Sequence, residues 1–441
     1  MATVVLSAAS AERPALQRLA AVLAAELERT GETDVRTFDL AKTKLAYCQG
    51  EFDCWVRTPG LCRAHDAEQE IVQALHDADR LVMLDEITFG GHSYTVKRAQ
   101  DRIICLISPF FEKRAALTHH EARYERMPSL FKLGWMPRVD PAAARTWSEL
   151  ADANAVNLFS PHVGAAAVDD AGRERWPEEV RTLLASTATP GANIVSRGPL
   201  REALMAAAAG EPSGRRPEAP RTAALVVGSA KAKGLSVSQN LASALSARLR
   251  AAGVTTRIHA AIEFLHEEPA RSAAKAVAEA DLLVLVTPLY VDAFPALATS
   301  ALEHIAAARR ESAAAAQCAA IVNCGFPEPE HTRTALRVAR HFASAAGYGW
   351  AGGLPLGGGG AIDAATPLDE QHGPARHVQQ ALDSAASCLA RGAAVAAEAV
   401  ERMAASPMPD AVYRFIGDMG WRYQVYQNGL TQSALRARPL D

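Results

Sequence analysis

A chain of 441 residues exceeds what one hydrophobic core usually supports, so two domains are expected. With 49% hydrophobic, 22% charged and 6% aromatic residues, a net charge of −3 and a pI near 6.5, it has an ordinary globular composition and no electrostatic reason to bind nucleic acid or an anionic membrane. No apolar run approaches the ~20 residues of a membrane span, MATVVLSAAS lacks a basic region before a signal core, and seven unevenly spread cysteines make no disulfide framework, so a cytoplasmic, reducing setting is expected.

The β-branched run Val4 to Leu6 predicts a strand, and Pro14 to Arg29 carries Leu16, Leu19, Leu23 and Leu27 at helical spacing. Further strands are predicted at Asp34 to Phe38, Arg80 to Leu84, Ile103 to Ile107 and Ala155 to Phe159, with helices at Asp66 to Ala78 and Trp176 to Ala185. The stretch Pro109 to Pro137 is long enough to be a lid loop. Residues 209 to 221, GEPSGRRPEAPRT, lack apolar periodicity and read as a linker between domains at 1–208 and 222–441. Beyond it the order repeats: a strand at Ala223 to Val227, a helix over Asn240 to Ala252, and strands near Val254 to Ile258, Asp281 to Val286 and Cys318 to Val322. Helices Ala270 to Ala280 and Ala296 to Arg309 fall between them. Strand and helix alternating twice predict an α/β protein of two tandem, doubly wound parallel sheets, duplicated in fold with little residue identity. The tail, Val412 to Asp441, holds Trp421, Tyr423 and Tyr426 and reads as a packed terminal helix, with a swap arm or lid as alternatives.

The loop Gly228 to Ser238, GSAKAKGLSVS, brings Ser229, Lys231, Lys233, Ser236 and Ser238 to a helix start, where unpaired backbone NH groups and the helix dipole favour an anion. A capped helix start would need only one of those hydroxyls. The loop has neither GxGxxG nor GxxxxGK[ST], so a single phosphate is implied. The next buried strand delivers Thr287, Pro288, Leu289, Tyr290, Val291, Asp292, Ala293, Phe294 and Pro295 to the same sheet edge. A phosphate loop followed by an aromatic loop fits flavin mononucleotide at a switch point. These residues, with Asn323-Cys324-Gly325-Phe326-Pro327 and the run Gly357 to Gly360, resemble the flavodoxin-like NAD(P)H-dependent FMN oxidoreductases over most of residues 222 to 441.

The resemblance implies that Ser229, Lys231, Ser236 and Ser238 hold the FMN phosphate, that Pro288, Leu289, Tyr290 and Val291 border the ring, and that Asn323, Cys324 and Gly325 approach it from the next strand. NAD(P)H would be co-substrate and a small molecule (quinone, nitro compound or flavin) the acceptor. A homodimer or an intrachain pseudo-dimer is implied, with no nucleic-acid or membrane partner. An electron-transfer protein serving a redox partner and a non-catalytic flavin-binding scaffold stay open. In the first half, Thr88, Phe89 and Gly90, with Lys97, Asp101 and Arg102, are similar to the family's ring loop and following helix. Ser7, Ser10 and Arg13 are the candidates there for a phosphate site, but that loop lacks glycine and carries Glu12, so it reads equally as a degenerate copy.

Cys48, Cys54 and Cys62, with Trp55, Thr58, Pro59 and Gly60, resemble the family's cysteine loop, iron-sulfur flavoproteins included. A cubane cluster takes four thiolates and structural zinc wants paired ligands. Cys105 or a histidine such as His65 could supply a fourth ligand, but a folded loop with free thiols and no metal is expected. His119 and His120 lack an HExxH context and read as surface or substrate-facing imidazoles, with Arg123 and Tyr124 within reach of a ligand. Cys324 has no evident His partner and reads as a small residue rather than a nucleophile.

Overall fold

The computed structural model describes residues 1–211, 218–231, 234–310 and 315–441. It divides into two compact units, Met1–Val195 with Arg414–Asp441, and Ser196–Tyr413.

In the first unit the strands are β1 (Ala2–Ser7), β2 (Asp34–Asp39), β3 (Arg80–Glu86), β4 (Ile107–Arg114), β5 (Leu117–Ala122), β6 (Ser129–Trp135) and β7 (Val163–Val168). Five of them form a parallel sheet in the order β2-β1-β3-β6-β7. Counting only these sheet strands, the order is 2-1-3-4-5, the flavodoxin-like doubly wound arrangement. Central β3 is apolar and buried from Leu81 to Leu84, as suits a strand covered on both faces, whereas edge strand β2 exposes Asp34 to Thr37. β4 and β5 make a separate antiparallel hairpin.

Two predicted strands of this unit are wrong. Ile103 to Leu106 is a 3₁₀ turn that feeds the hairpin, and the fourth sheet strand is β6. Its apolar pattern is broken by Lys132, which is fully buried because its ammonium donates to Asn154 Oδ1 at 2.5 Å and lies over the Trp147 ring. Ala155 to Asn157 closes the helix Pro141–Asn157, whose start is fixed by Pro141 and by Asp140 accepting from the Ala143 NH at 2.7 Å. The fifth strand is the small-residue segment β7 instead. The expected lid at 109–137 is therefore the hairpin followed by β6.

The tail belongs to this unit. Val425 and Leu435 are fully buried with Trp55, Val56, Ile107 and Phe110. Phe52 stacks on Trp55 with centroids 5.0 Å apart, while Trp421 meets Trp55 edge-on at 5.3 Å.

The second unit contains β8 (Thr222–Val227), β9 (Thr255–Ala260), β10 (Leu282–Pro288), β11 (Gln317–Asn323) and β12 (Gly349–Leu356), parallel in the order β12-β11-β10-β8-β9, again 2-1-3-4-5 from the other edge. The division differs from the one composition suggested. Helix Arg197–Ala208 packs on β12 and on helix Arg333–Ala345. The chain then stays on β12, for the Glu211 NH donates to Trp350 O at 2.9 Å and a Cβ at Gly210 would lie 2.6 Å from Ala351 O. Of the expected linker, 212–217 lie outside the described residues. No helix among the described residues is long and apolar enough to cross a membrane.

Candidate functional site

At the carboxyl edge of each sheet the same backbone hydrogen bonds knit the loops together. In the second unit Gly228 N donates to Val286 O, Leu289 N to Asn323 O and Cys324 N to Leu356 O, each at 2.9 Å. In the first, Ala8 N donates to Leu84 O at 2.9 Å, Ile87 N to Trp135 O at 2.8 Å and Met136 N to Val168 O at 3.0 Å. The loop after the third sheet strand is a tight turn in both. Tyr290 and Ala293 exchange bonds at 2.9 and 3.1 Å around Val291 and Asp292, with φ of 46° and 61°; Thr88 and Gly91 exchange bonds at 2.9 Å around Phe89 and Gly90, with φ of 54° and 77°. A β-branched residue at positive φ is strained, and such strain gathers where a loop is held for use. The bonds pair Gly228 with Ala8, Pro288 with Glu86, Asn323 with Trp135 and Cys324 with Met136.

Gly228 is needed by packing, since a Cβ there would lie 2.5 Å from Thr287 Oγ1 and 2.8 Å from Ala298 Cβ. Ser229 accepts from the Lys231 NH at 3.2 Å, and Ser236 caps helix Val237–Ala251 by accepting from the Gln239 NH at 3.4 Å. Lys233 lies outside the described residues. Ser238 differs from its neighbours. Its hydroxyl is buried and donates to Asn323 Oδ1 at 2.8 Å, so its proton ties the helix start to the end of β11. Thr334 Oγ1 donates to Asp292 O and holds the strained turn from below.

Asn323, Cys324 and Gly325 follow, and an added Cβ at Gly325 would meet nothing within 4 Å. That opening is bordered by Tyr413, whose hydroxyl donates to Gly325 O at 2.5 Å. The glycine run packs against this edge: Cβ atoms at Gly357, Gly358 and Gly360 would approach Pro327 O to 2.4 Å, Pro407 Cγ to 2.5 Å and Tyr413 Oη to 2.9 Å. Burial pushes the Cys324 thiol up, and its Sγ lies 3.3 Å from Phe326 O, the setting of an inert thiol. Ser229, Lys231 and Ser236 thus share one loop, Pro288 to Val291 the next, and Asn323 to Gly325 the third along one sheet edge. Hydroxyls, an ammonium and helix NH groups at one end, with open space beside Gly325 at the other, form a donor set that fits a mononucleotide.

The first unit's edge is built differently. Ser7 accepts from the Ala9 NH at 3.2 Å and the Ser10 carbonyl from the Arg13 NH at 3.0 Å. The Arg13 guanidinium lies 3.3 Å from the Glu86 carboxylate, so the cation expected to meet phosphate is held by an acid at the end of β3. Glu12 adds a second carboxylate, held below its usual range by a hydrogen bond from Ser10. Near Thr88, Phe89 and Gly90 lies a buried polar network of which the sequence had singled out only Lys97 and Asp101. Asp85 accepts from Ser93 Oγ at 2.5 Å and from the Ser93 NH at 2.9 Å, and pairs with His92 Nδ1 at 2.9 Å. Lys97 pairs with Asp101, and Gln100 donates to Asn154 at 2.7 Å. An acid inside the apolar run of β3 was the available signal.

Arg102 anchors the cysteine loop, donating to Cys62 Sγ at 3.1 Å and to Asp66. Burial pushes Cys48 up to about 12 and Cys54 and Cys105 well up; Cys105 donates to Glu68 at 3.3 Å. Among the described residues no group of three His, Cys, Asp or Glu is placed to hold a metal ion. His119 and His120 pack inside the unit rather than on its surface. His119 Nδ1 meets Asn157 Oδ1 at 2.7 Å, and His120 meets Pro109 O at 3.1 Å and packs on Trp55. Arg123 and Tyr124 are buried too, Arg123 donating to Cys105 O, Leu435 O and Ala437 O.

Residues 220–349 match the family of NADPH-dependent FMN reductases. That segment spans β8 to the first residue of β12 and so includes all three edge loops of the second unit. Among solved structures the chain is similar to an azoreductase from Bacillus anthracis, at 15% identity and a TM-score of 0.27, over 39% of this chain and 99% of that one. It is also similar to an NAD(P)H:quinone oxidoreductase from Methanothermobacter marburgensis, at 15% identity and 0.28, over 39% and 96%. The Flv1 flavodiiron core from Synechocystis matches at 12% and 0.23, over 68% and 77%. The fold is set by the strand order of the two sheets. No curated protein matches the chain.

Proposed function

We propose that the second unit binds FMN and that the chain is an NAD(P)H-dependent FMN oxidoreductase passing electrons to a small acceptor such as a quinone, nitro compound or flavin. The observation that carries this reading is the coincidence of the family match, residues 220–349, with the three loops that meet at one sheet edge. Ser229, Ser236, Lys231 and the NH groups opening helix Val237–Ala251 bind the phosphate. Pro288 to Val291 and Asn323 to Gly325 border the ring, and the Ser238–Asn323 bond fixes their separation. When bound, FMN supplies hydride transfer at its N5 atom, so the chain itself need supply neither nucleophile nor metal. Tyr413 and the glycine run close one side against water.

Purified protein should be yellow, release about one FMN per chain in acid, and oxidise NADPH or NADH when a quinone is added. Lys231→Glu should lower FMN affinity by at least ~10-fold, since one charge reversal beside a phosphate is worth more than ~1.4 kcal/mol. Colourless protein that ignores added FMN overturns the reading.

A further inference from the structure

Six of the twelve exposed large apolar side chains among the described residues lie on one helix, Asp410–Gln427. Five of them, Phe415, Ile416, Met419, Tyr423 and Tyr426, are 68%, 53%, 53%, 60% and 76% exposed. Ile416, Met419, Tyr423 and Tyr426 follow one another at steps of 3, 4 and 3 residues, the period of a helix seam that faces another helix. The opposite face is already used: Val425 is fully buried, Trp421 meets Trp55, and a Cβ at Gly417 would lie 2.6 Å from the Phe111 ring. A surface helix normally turns its polar side outward. This one turns out an apolar stripe instead.

Gly420 points to what covers it. A mid-helix glycine costs about 1 kcal/mol relative to alanine, and nothing lies within 4 Å of where its Cβ would be, so the unit's own packing does not require it. It flanks the stripe one turn from Ile416 and from Tyr423, where a missing side chain lets a crossing helix come close. An occupant with the same stripe and the same gap beside it is a second copy of the helix, paired about a two-fold axis. Taking ~150–250 Å² for a large side chain, the five exposures amount to about 600 Å² per copy, close to the ~800 Å² per partner of a stable interface. The charges beside the stripe do not favour a lipid surface, which would want a basic rim. Arg422 flanks the stripe and is held by Gln432 at 3.2 Å, while Arg414 and Asp418 lie further round, with the Arg414 Nε and Asp418 Oδ1 buried.

We propose that helix Asp410–Gln427 pairs antiparallel with its counterpart in a second chain, crossing at Met419 and Gly420. The inference is independent of the flavin reading. Sedimentation of the full chain at ~10 μM should give twice the 46.9 kDa chain mass. Met419→Lys should weaken the association at least 100-fold. Gly420→Leu should do the same while helicity by circular dichroism holds or rises, because leucine favours a helix with room around it; unfolding therefore cannot account for the loss. Met419→Cys should form a disulfide-linked dimer under mild oxidation, and Glu398→Cys, far along the chain, should not. A wild-type chain that stays monomeric at 100 μM, one that binds lipid vesicles without self-associating, or a dimer untouched by both substitutions overturns the proposal.

Discussion

Two glycines at the flavin edge make opposite demands. Gly228 has Thr287 and Ala298 in the space a methyl would occupy, whereas Gly325 has open space and no positive φ. Gly228→Ala should cost about 1–3 kcal/mol, the range for overpacking a tight site, and Gly325→Ala should stay within ~0.5 kcal/mol. Urea midpoints of the two variants decide it; equal losses would mean the edge yields to fit a methyl. The Ser238–Asn323 bond can be weighed in the same way. Ser238→Ala leaves Asn323 Oδ1 buried without that donor, a loss of ~1–3 kcal/mol. If Ser238 positions rather than grips phosphate, the variant should lose stability while FMN still binds within a few-fold of wild type. A loss of FMN larger than the loss of stability would return Ser238 to the phosphate site.

At the scale of elements, the hairpin β4–β5 carries a pH dependence. Burial pushes His120 down to about 4, partly opposed by its bond to Pro109 O. The unfolded imidazole takes up its proton near pH 6.5. Between 6.5 and about 4 the unfolded chain therefore binds a proton that the folded hairpin refuses, and stability falls as pH falls, by up to ~1.4 kcal/mol per pH unit. The contribution is fully present above pH 6.5. His120→Phe, which keeps a ring against Trp55 and Phe111, should flatten the slope between pH 7 and 5 in urea denaturation; an unchanged slope assigns it to other groups. Elements also show how much the sequence could tell. Helix Pro14–Arg29 was legible to the residue because its apolar period runs unbroken from end to end, and Ala296–Arg309 because a run of good helix formers follows Pro295. β6 and β7 were not. Lys132 reads as polar until Asn154 and Trp147 are seen around it, and GAAA in β7 has too little side chain to show a strand period. The loops of the site were legible as positions on a sheet edge. The roles within them were not, because only the fold brings Asn323 across to Ser238 and Glu86 across to Arg13.

For the whole molecule, the two units repeat one topology and one set of loop bonds, but they hold their edges by different means. The second leaves its edge open beside Gly325, while the first spans its own with Arg13 and Glu86. The first also depends on the chain's far end. Ending the chain at Tyr413 would strip Trp421, Val425 and Leu435 from the cluster around Trp55 and remove two carbonyls that Arg123 donates to. Burial of Val425 and Leu435 contributes ~1.5–3 kcal/mol each, and a buried guanidinium left short of acceptors costs ~1–3 kcal/mol more. The sum, about 4–9 kcal/mol, is of the order of a domain's net stability of ~5–15 kcal/mol. Calorimetry of the full chain should show two transitions, and the truncated chain should lose or sharply lower one of them. The surviving transition should belong to Ser196–Tyr413 and rise when FMN is added, because a ligand that binds only the folded state stabilises it by mass action. Two unshifted transitions in the truncated chain would show that the tail merely rests on the first unit. Loss of both would show that neither unit stands without it.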